Sequence, residues 1–282
     1  MTEGQIRVWV NGRLVEPDEP VLSALDHGVT VGDGVFETAK IERGRPFALR
    51  RHHARLQRSA AGLGLAPIDL DRVDEGIKAV LDGAEIEFGR LRYSVTGGTG
   101  PLGSDRLAAP LTYIVLAGPQ PRPPASGAVV VVPWTRNERS AVAGLKTTSY
   151  AENVIALAWA KERGGIEAVF ANTRGELCEC TGSNIFIVRD GQVLTPPVDS
   201  GLLPGITREL TIEWAEASGI RVRETVLPLG ALDEADEVFI TSSTKDVLPV
   251  HAVDGRPLPA ERPVTTQLQR VFRRHAERDS DP

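Results

Sequence analysis

Only five lysines, Lys40, Lys78, Lys146, Lys161 and Lys245, stand against 27 arginines in this chain, so any chemistry that needs a nucleophilic amine has five candidates. Lys161 sits with Glu162 and Arg163 at the end of a helical pattern, where a cation favours the helix dipole, and Lys78 is likewise helical and solvated. Lys40 ends an alternating strand and Lys245 lies among hydroxyls. Lys146 differs. It is embedded in Ala143-Gly-Leu-Lys-Thr-Thr-Ser-Tyr150, between a strand and a helix, with small neighbours and no carboxylate beside it. An amine that attacks a carbonyl must be neutral near pH 7, and partial desolvation makes it so.

A second chemical signal is Leu203-Pro-Gly-Ile-Thr-Arg208, which opens an amphipathic helix running to about Ser218 and stopping at Gly219. The first turn displays backbone N–H groups and the positive end of the helix dipole, which favour a dianion; Gly205 is expected to let the main chain approach it. The plain alternative is a Pro-Gly turn whose Thr207 caps the helix. The anion reading implies a phosphorylated cofactor.

Composition narrows the field. A net charge of −6 and basic residues scattered along helices offer no broad basic field for a nucleic acid. No apolar run approaches the roughly 20 residues of a membrane span, and Met1–Val10 lacks the layout of a signal peptide, so a cytoplasmic protein is expected. Cys178 and Cys180 flank Glu179 on one face of a strand, and the five histidines are dispersed, which gives no metal-ligand spacing.

The elements that must position these residues follow from pattern. Residues 6–16 read as a hairpin around Asn11-Gly12, and residues 31–41 as a glycine-punctuated entry into an alternating strand closed by the turn at 42–45. Helical periodicity covers 50–62 and 71–82, and strands are expected at 90–96 and 111–117. Four prolines in residues 118–127 favour an extended connector, which divides the chain into an N-terminal α+β domain, 1–117, and a C-terminal α+β domain, 128–282. The latter reads as strands at 129–132, 168–171, 184–188, 193–195, 221–227 and 237–241, with helices at 149–163, 206–218 and 265–278.

Six strings occur in register. They are Gly32-Asp-Gly-Val-Phe-Glu37, His52-x-x-Arg55-Leu56, Lys146-Thr-Thr-Ser-Tyr150, Glu179-x-x-x-x-Asn184-x-Phe186, Leu203-Pro-Gly-Ile-Thr-Arg208 and Thr241-Ser-Ser-x-x-x-x-x-Pro249-Val250. Together they resemble the fold-type IV pyridoxal-phosphate enzymes: branched-chain and D-amino-acid aminotransferases, (R)-amine transaminases and aminodeoxychorismate lyase. The resemblance spans about residues 6–255 and implies two α+β domains with pyridoxal 5′-phosphate in the interdomain cleft, most of its contacts coming from the C-terminal domain, in a homodimer.

It also implies roles. Lys146 would hold the cofactor covalently and shuttle the proton at the substrate α-carbon. Glu179 would keep the pyridine nitrogen protonated, with Glu176 as a rival placed by preference in a turn. Arg55 would clamp the phosphate with His52 one helical turn behind, and Ile206, Thr207 and Ser243 would add backbone amides and hydroxyls. Thr244 would turn its amide toward a substrate carboxylate, and Asn184 would order the strand edge. Alternation puts Phe36, Thr38 and Lys40 on the face that lines the family's pocket, with Glu37 and Ala39 facing away. Alternation also groups Arg90, Arg92 and Ser94, and two inward arginines demand an anion such as a substrate carboxylate.

Three departures matter. Residues 95–106 lack the Arg-x-His carboxylate trap of the best-known D-amino-acid aminotransferases, the strand Phe36–Lys40 lacks the Phe-Glu-Gly-x-Arg pattern of branched-chain enzymes, and Tyr150 stands one residue closer to the lysine than in those enzymes. The expectation is transfer of an amino group between an amino acid, of D configuration, and a 2-oxo acid. Aminodeoxychorismate lyase is the alternative; branched-chain and (R)-amine transaminases and a non-enzymatic vitamin-B6 carrier complete the set.

Overall fold

The computed structural model describes residues 6–282, so residues 1–5 of the Met1–Val10 segment and of the expected N-terminal domain lie outside it. The chain forms two compact units. The first runs up to Arg122 and takes in Leu145–Tyr150 and Ser280–Pro282; the second comprises Pro123–Gly144 and Ala151–Asp279. The lysine segment, which the expected division placed after the connector, thus belongs to the first unit.

In the first unit the elements are β1 (Arg7–Val10), β2 (Arg13–Val15), α1 (His27–Thr30), β3 (Gly34–Glu42), β4 (Arg45–Pro46), α2 (Leu49–Leu63), α3 (Leu70–Leu81), β5 (Phe88–Thr96) and β6 (Thr112–Pro119). They form an antiparallel sheet in the order β2-β1-β6-β5-β3-β4. Asn11 and Gly12 both have positive φ, 47° and 105°, the geometry that matches a tight hairpin to the twist of its strands. Period-two alternation in β3 buries Val35, Ala39 and Ile41 in one core with Leu56 and Ala60 of α2 and Val73, Ile77 and Val80 of α3. Phe36, Thr38 and Lys40 therefore occupy the other face of the sheet.

The second unit holds β7 (Gly127–Arg136), α4 (Ala151–Glu162), β8 (Glu167–Asn172), β9 (Leu177–Cys180), β10 (Asn184–Arg189), β11 (Gln192–Thr195), α5 (Ile206–Ala217), β12 (Val222–Glu224), β13 (Glu237–Ser242), β14 (Asp246–Val253), β15 (Arg256–Pro257) and α6 (Pro263–Arg278). Its sheet runs β12-β11-β10-β13-β14-β7-β8-β9, with β15 on β14; the pairs β11–β12, β14–β7 and β7–β8 are parallel. Strand β14 has no counterpart in the sequence expectation. Its Pro249 lies opposite Phe239 in the middle of the sheet, a place where proline forfeits a ladder hydrogen bond and pattern reading does not expect a strand. Strand β12 is shorter than expected, ending at Glu224.

Candidate active site

Within the first unit, Lys146 is placed by backbone pairing. Its carbonyl accepts from Phe36 N–H at 3.0 Å, Thr148 N–H donates to the Gly34 carbonyl at 2.8 Å, and its own N–H donates to Ser59 Oγ at 3.1 Å. The Thr148 and Ser149 hydroxyls donate to the Gly32 carbonyl. The segment is thus laced to the start of β3 and to α2, which is why it folds with the first unit. Its half-buried amine lies 4.5 Å from the centre of the Phe36 ring. Tyr150 meets the same ring edge-on at 5.3 Å, and the Arg92 guanidinium lies over it at 3.8 Å.

Phe36, Arg92, Lys146 and Tyr150 are therefore one cluster on the outward face of β3 and β5. Thr38 is half-buried opposite Arg92 in the ladder. Lys40 is buried, with its amine 5.0 Å from the Phe47 ring. Arg90, expected to turn inward with Arg92, is exposed: it stands directly across from Lys40, and like charges in opposed positions repel. Arg92 is half-buried, and desolvation draws its pKa below the usual guanidinium value. It forms no ion pair among the described residues.

On the opposite face of β3, Glu37 is fully buried and binds Arg55 and His52. Arg55 grips it through Nε at 2.8 Å and Nη2 at 2.7 Å, and His52 Nδ1–H donates to it at 2.7 Å. Burial alone would raise the Glu37 carboxyl, but the charge and hydrogen bonds of Arg55, with those of His52, hold it far below the carboxylate range. Burial lowers the His52 pKa despite Glu37. The sequence reading placed His52 and Arg55 side by side and turned Glu37 away from Phe36, but it missed that these three meet. The available signal was an acid in the core-facing register of an apolar strand, which must find opposite charge.

In the second unit, α5 begins at Gly205 as its N-cap with no side-chain cap, so Thr207 does not cap the helix; Ile206 and Thr207 are buried in its first turn. Gly205 has a packing reason of its own. A Cβ there would lie 2.0 Å from Asn184 Oδ1, and Asn184 in turn donates through Nδ2 to the Leu203 carbonyl at 2.9 Å. Asn184 pairs with Thr241 across β10 and β13, so the helix start and the turn Ser243–Lys245 lie at one end of the sheet. Ser243 and Thr244 are half-buried in that turn, and the Thr241 and Ser242 hydroxyls just before it are buried without a hydrogen-bond partner. An uncapped helix start beside orphaned hydroxyls suits a phosphate group.

Glu179, on β9, accepts from Leu203 N–H at 2.9 Å and faces Arg136 Nε at 3.4 Å. Arg136, not singled out from sequence, also binds Glu152 and Asn153 and lies over the Phe170 ring at 4.3 Å. The rival Glu176 is committed to its turn, accepting from Asn172 and Arg174. Both cysteines are buried; burial pushes the Cys178 thiol up to about 12, which leaves it inert. None of the six helices among the described residues is long and apolar enough to cross a membrane.

The family model for amino-transferase class IV matches residues 34–253. A Bacillus licheniformis D-alanine aminotransferase is 33% identical over 94% of this chain and 96% of its own length. A Methanocaldococcus jannaschii protein assigned as a branched-chain-amino-acid aminotransferase is 32% identical over 95% and 96%. Among solved structures, the branched-chain aminotransferase of Thermoproteus uzoniensis with norvaline superposes with a TM-score of 0.88 at 30% identity, covering 95% of this chain and 93% of that one. The chain therefore belongs to the class IV aminotransferases, pyridoxal-phosphate-dependent transaminases.

Proposed function

We propose that the enzyme moves an amino group between a D-amino acid and a 2-oxo acid such as pyruvate or 2-oxoglutarate, as a cytoplasmic homodimer. The observation that carries this reading is Arg92. A desolvated guanidinium with no acid partner, beside the Lys146 amine on one aromatic ring, suits a substrate carboxylate. The D assignment draws on the Thr241-Ser-Ser-Thr244 segment, on the non-branched-chain strand Phe36–Lys40, and on the D-alanine aminotransferase relative.

In this reading Lys146 would hold pyridoxal phosphate and would carry the proton on and off the substrate α-carbon. The bound cofactor supplies the electron sink. Glu179, held by Leu203 N–H and Arg136, keeps a proton on the ring nitrogen. Phosphate contacts are assigned to Arg55, oriented by Glu37, to the Ile206 and Thr207 amides and to the Ser243 hydroxyl. Phe36, Thr38 and Lys40 line the substrate side, and Arg92, rather than the exposed Arg90, grips the α-carboxylate, with the Thr244 amide assisting.

Cofactor absorbance followed with D-alanine, D-glutamate, L-leucine, (R)-phenylethylamine and aminodeoxychorismate tests this. D-amino acids are expected to react faster than their enantiomers. Arg92→Met should cost about tenfold to a hundredfold in kcat/KM for amino acids and far less for an amine without a carboxylate. Equal rates for L-leucine and D-alanine would put a branched-chain enzyme in its place, and turnover of aminodeoxychorismate alone a lyase. Borohydride trapping and peptide mapping check the lysine: a labelled Lys40 or Lys245 peptide would overturn Lys146.

A further inference from the structure

A second buried carboxylate, Glu167 at the start of β8, lies outside every role given so far. It gathers four donors from two loops. The Thr181 hydroxyl, Gly182 N–H at 2.8 Å and the Ser183 hydroxyl at 2.9 Å come from the loop between β9 and β10; the Lys245 amine, at 2.6 Å, comes from the turn between β13 and β14. Glu167 is only 3% exposed and Lys245 is half-buried. We propose that Glu167 is a positioning residue that, through its ion pair with Lys245, fixes the turn carrying Ser243 and Thr244 at the phosphate-binding end of the sheet.

The geometry supports this in three ways. The turn Ser243–Lys245 is followed by Asp246 at φ 51°, a left-handed conformation that a non-glycine residue adopts at a cost and that surrounding structure must hold. Glu167 ties that turn to the loop ending at Ser183, next to Asn184, which packs on the N-cap of α5. One carboxylate therefore sets the spacing between the helix start and the turn hydroxyls, the two sources assigned to one anion. Finally, a buried ion pair adds little stability over a well-packed apolar pair of similar volume, so its use here fits a demand for fixed geometry.

The inference rests on the reading of Ser243 as a phosphate ligand, and the experiment separates the two. Dissociation constants of pyridoxal phosphate and of pyridoxal are measured on the cofactor-free full-length protein by tryptophan fluorescence, and their ratio reports the phosphate's share of binding. Glu167→Gln and Lys245→Met are expected to reduce that ratio about three- to tenfold, the weight of one misplaced hydrogen bond, while pyridoxal alone binds within about twofold of the parent. Lys245→Arg should restore the ratio. If Glu167→Gln does not fold, Lys245→Met reads the same pair. An equal loss for both ligands, or a lowered Tm with an unchanged ratio, overturns the positioning role. Ser243→Ala separates the causes: a reduced ratio there with none in Glu167→Gln or Lys245→Met sinks this inference alone, whereas an unchanged ratio in Ser243→Ala removes Ser243 from the phosphate site and this inference with it.

Discussion

The two faces of β3 treat positive charge in opposite ways. On the core-facing side, Glu37 pairs with Arg55 and accepts a hydrogen bond from His52 in a buried, closed set. On the other side, Arg92 lies over Phe36 beside Lys146 and has no acid of its own among the described residues. A cation with its counter-ion built in is held in one place before any ligand arrives; a desolvated cation without one suits a ligand that brings the charge. Strand alternation makes this division possible, since residues one apart on β3 look into different environments.

The sharpest way to break the comparison is to remove the counter-ion from the closed face. Glu37→Gln leaves the buried Arg55 facing an amide and is expected to cost about 3–5 kcal/mol of stability. Arg92→Met removes a cation that has no acid partner among the described residues, so its stability should stay within about 1 kcal/mol of the parent while amino-acid turnover falls. Urea unfolding of the two variants measures both, and similar losses would erase the distinction between the faces.

Acid titration sharpens it further. The folded-state pKa of Glu37 lies below its ordinary 4.5, so the folded chain binds fewer protons than the unfolded one as pH falls past that value. Its contribution is full above about 4.5 and is lost as pH drops through the folded value. His52 is also depressed, from 6.5, because burial favours the neutral ring; it withdraws stability as pH falls below 6.5. Urea midpoints should therefore decline in two stretches. His52→Gln should flatten the upper one and Glu37→Gln the lower, while Arg92→Met should alter neither.

Legibility from sequence followed the range of the interaction. Hairpins at Asn11-Gly12 and at 42–45, helices α2, α3 and α5, and the two faces of β3 are local patterns of turn chemistry and period. Lys146 differed from the other four lysines in its setting between a strand and a helix, and the family resemblance implied its role. Closure of Arg55 on Glu37, of Arg136 on Glu179 and of Lys245 on Glu167 joins residues far apart in sequence, and a local pattern can at most flag the buried acid, not its partner. Arg90 failed for a related reason: alternation gives its face, but the opposing Lys40 decides that it turns to solvent. Strand β14 was hidden by Pro249, whose lost donor the rest of the ladder tolerates.

The smallest expected effect concerns the start of α5, whose cation, Arg208, is taken up by Glu224 and the Pro196 carbonyl. Here the anion is to be met by backbone, so the position of the chain itself must be set, and Gly205 against Asn184 sets it. A methyl at Gly205 would stand 2.0 Å from Asn184 Oδ1, so Gly205→Ala forces the helix start and β10 apart; overpacking of this kind costs about 1–3 kcal/mol. Asn184→Ala alone loses the hydrogen bond to the Leu203 carbonyl, about 1 kcal/mol. If close approach is what makes glycine necessary, the double variant should be more stable than the sum of the single losses by about 1 kcal/mol or more, because removing the amide makes room for the methyl. Additive losses would mean that Gly205 is needed for something other than Asn184, and the helix start would then have to be set by the Glu179–Leu203 hydrogen bond alone.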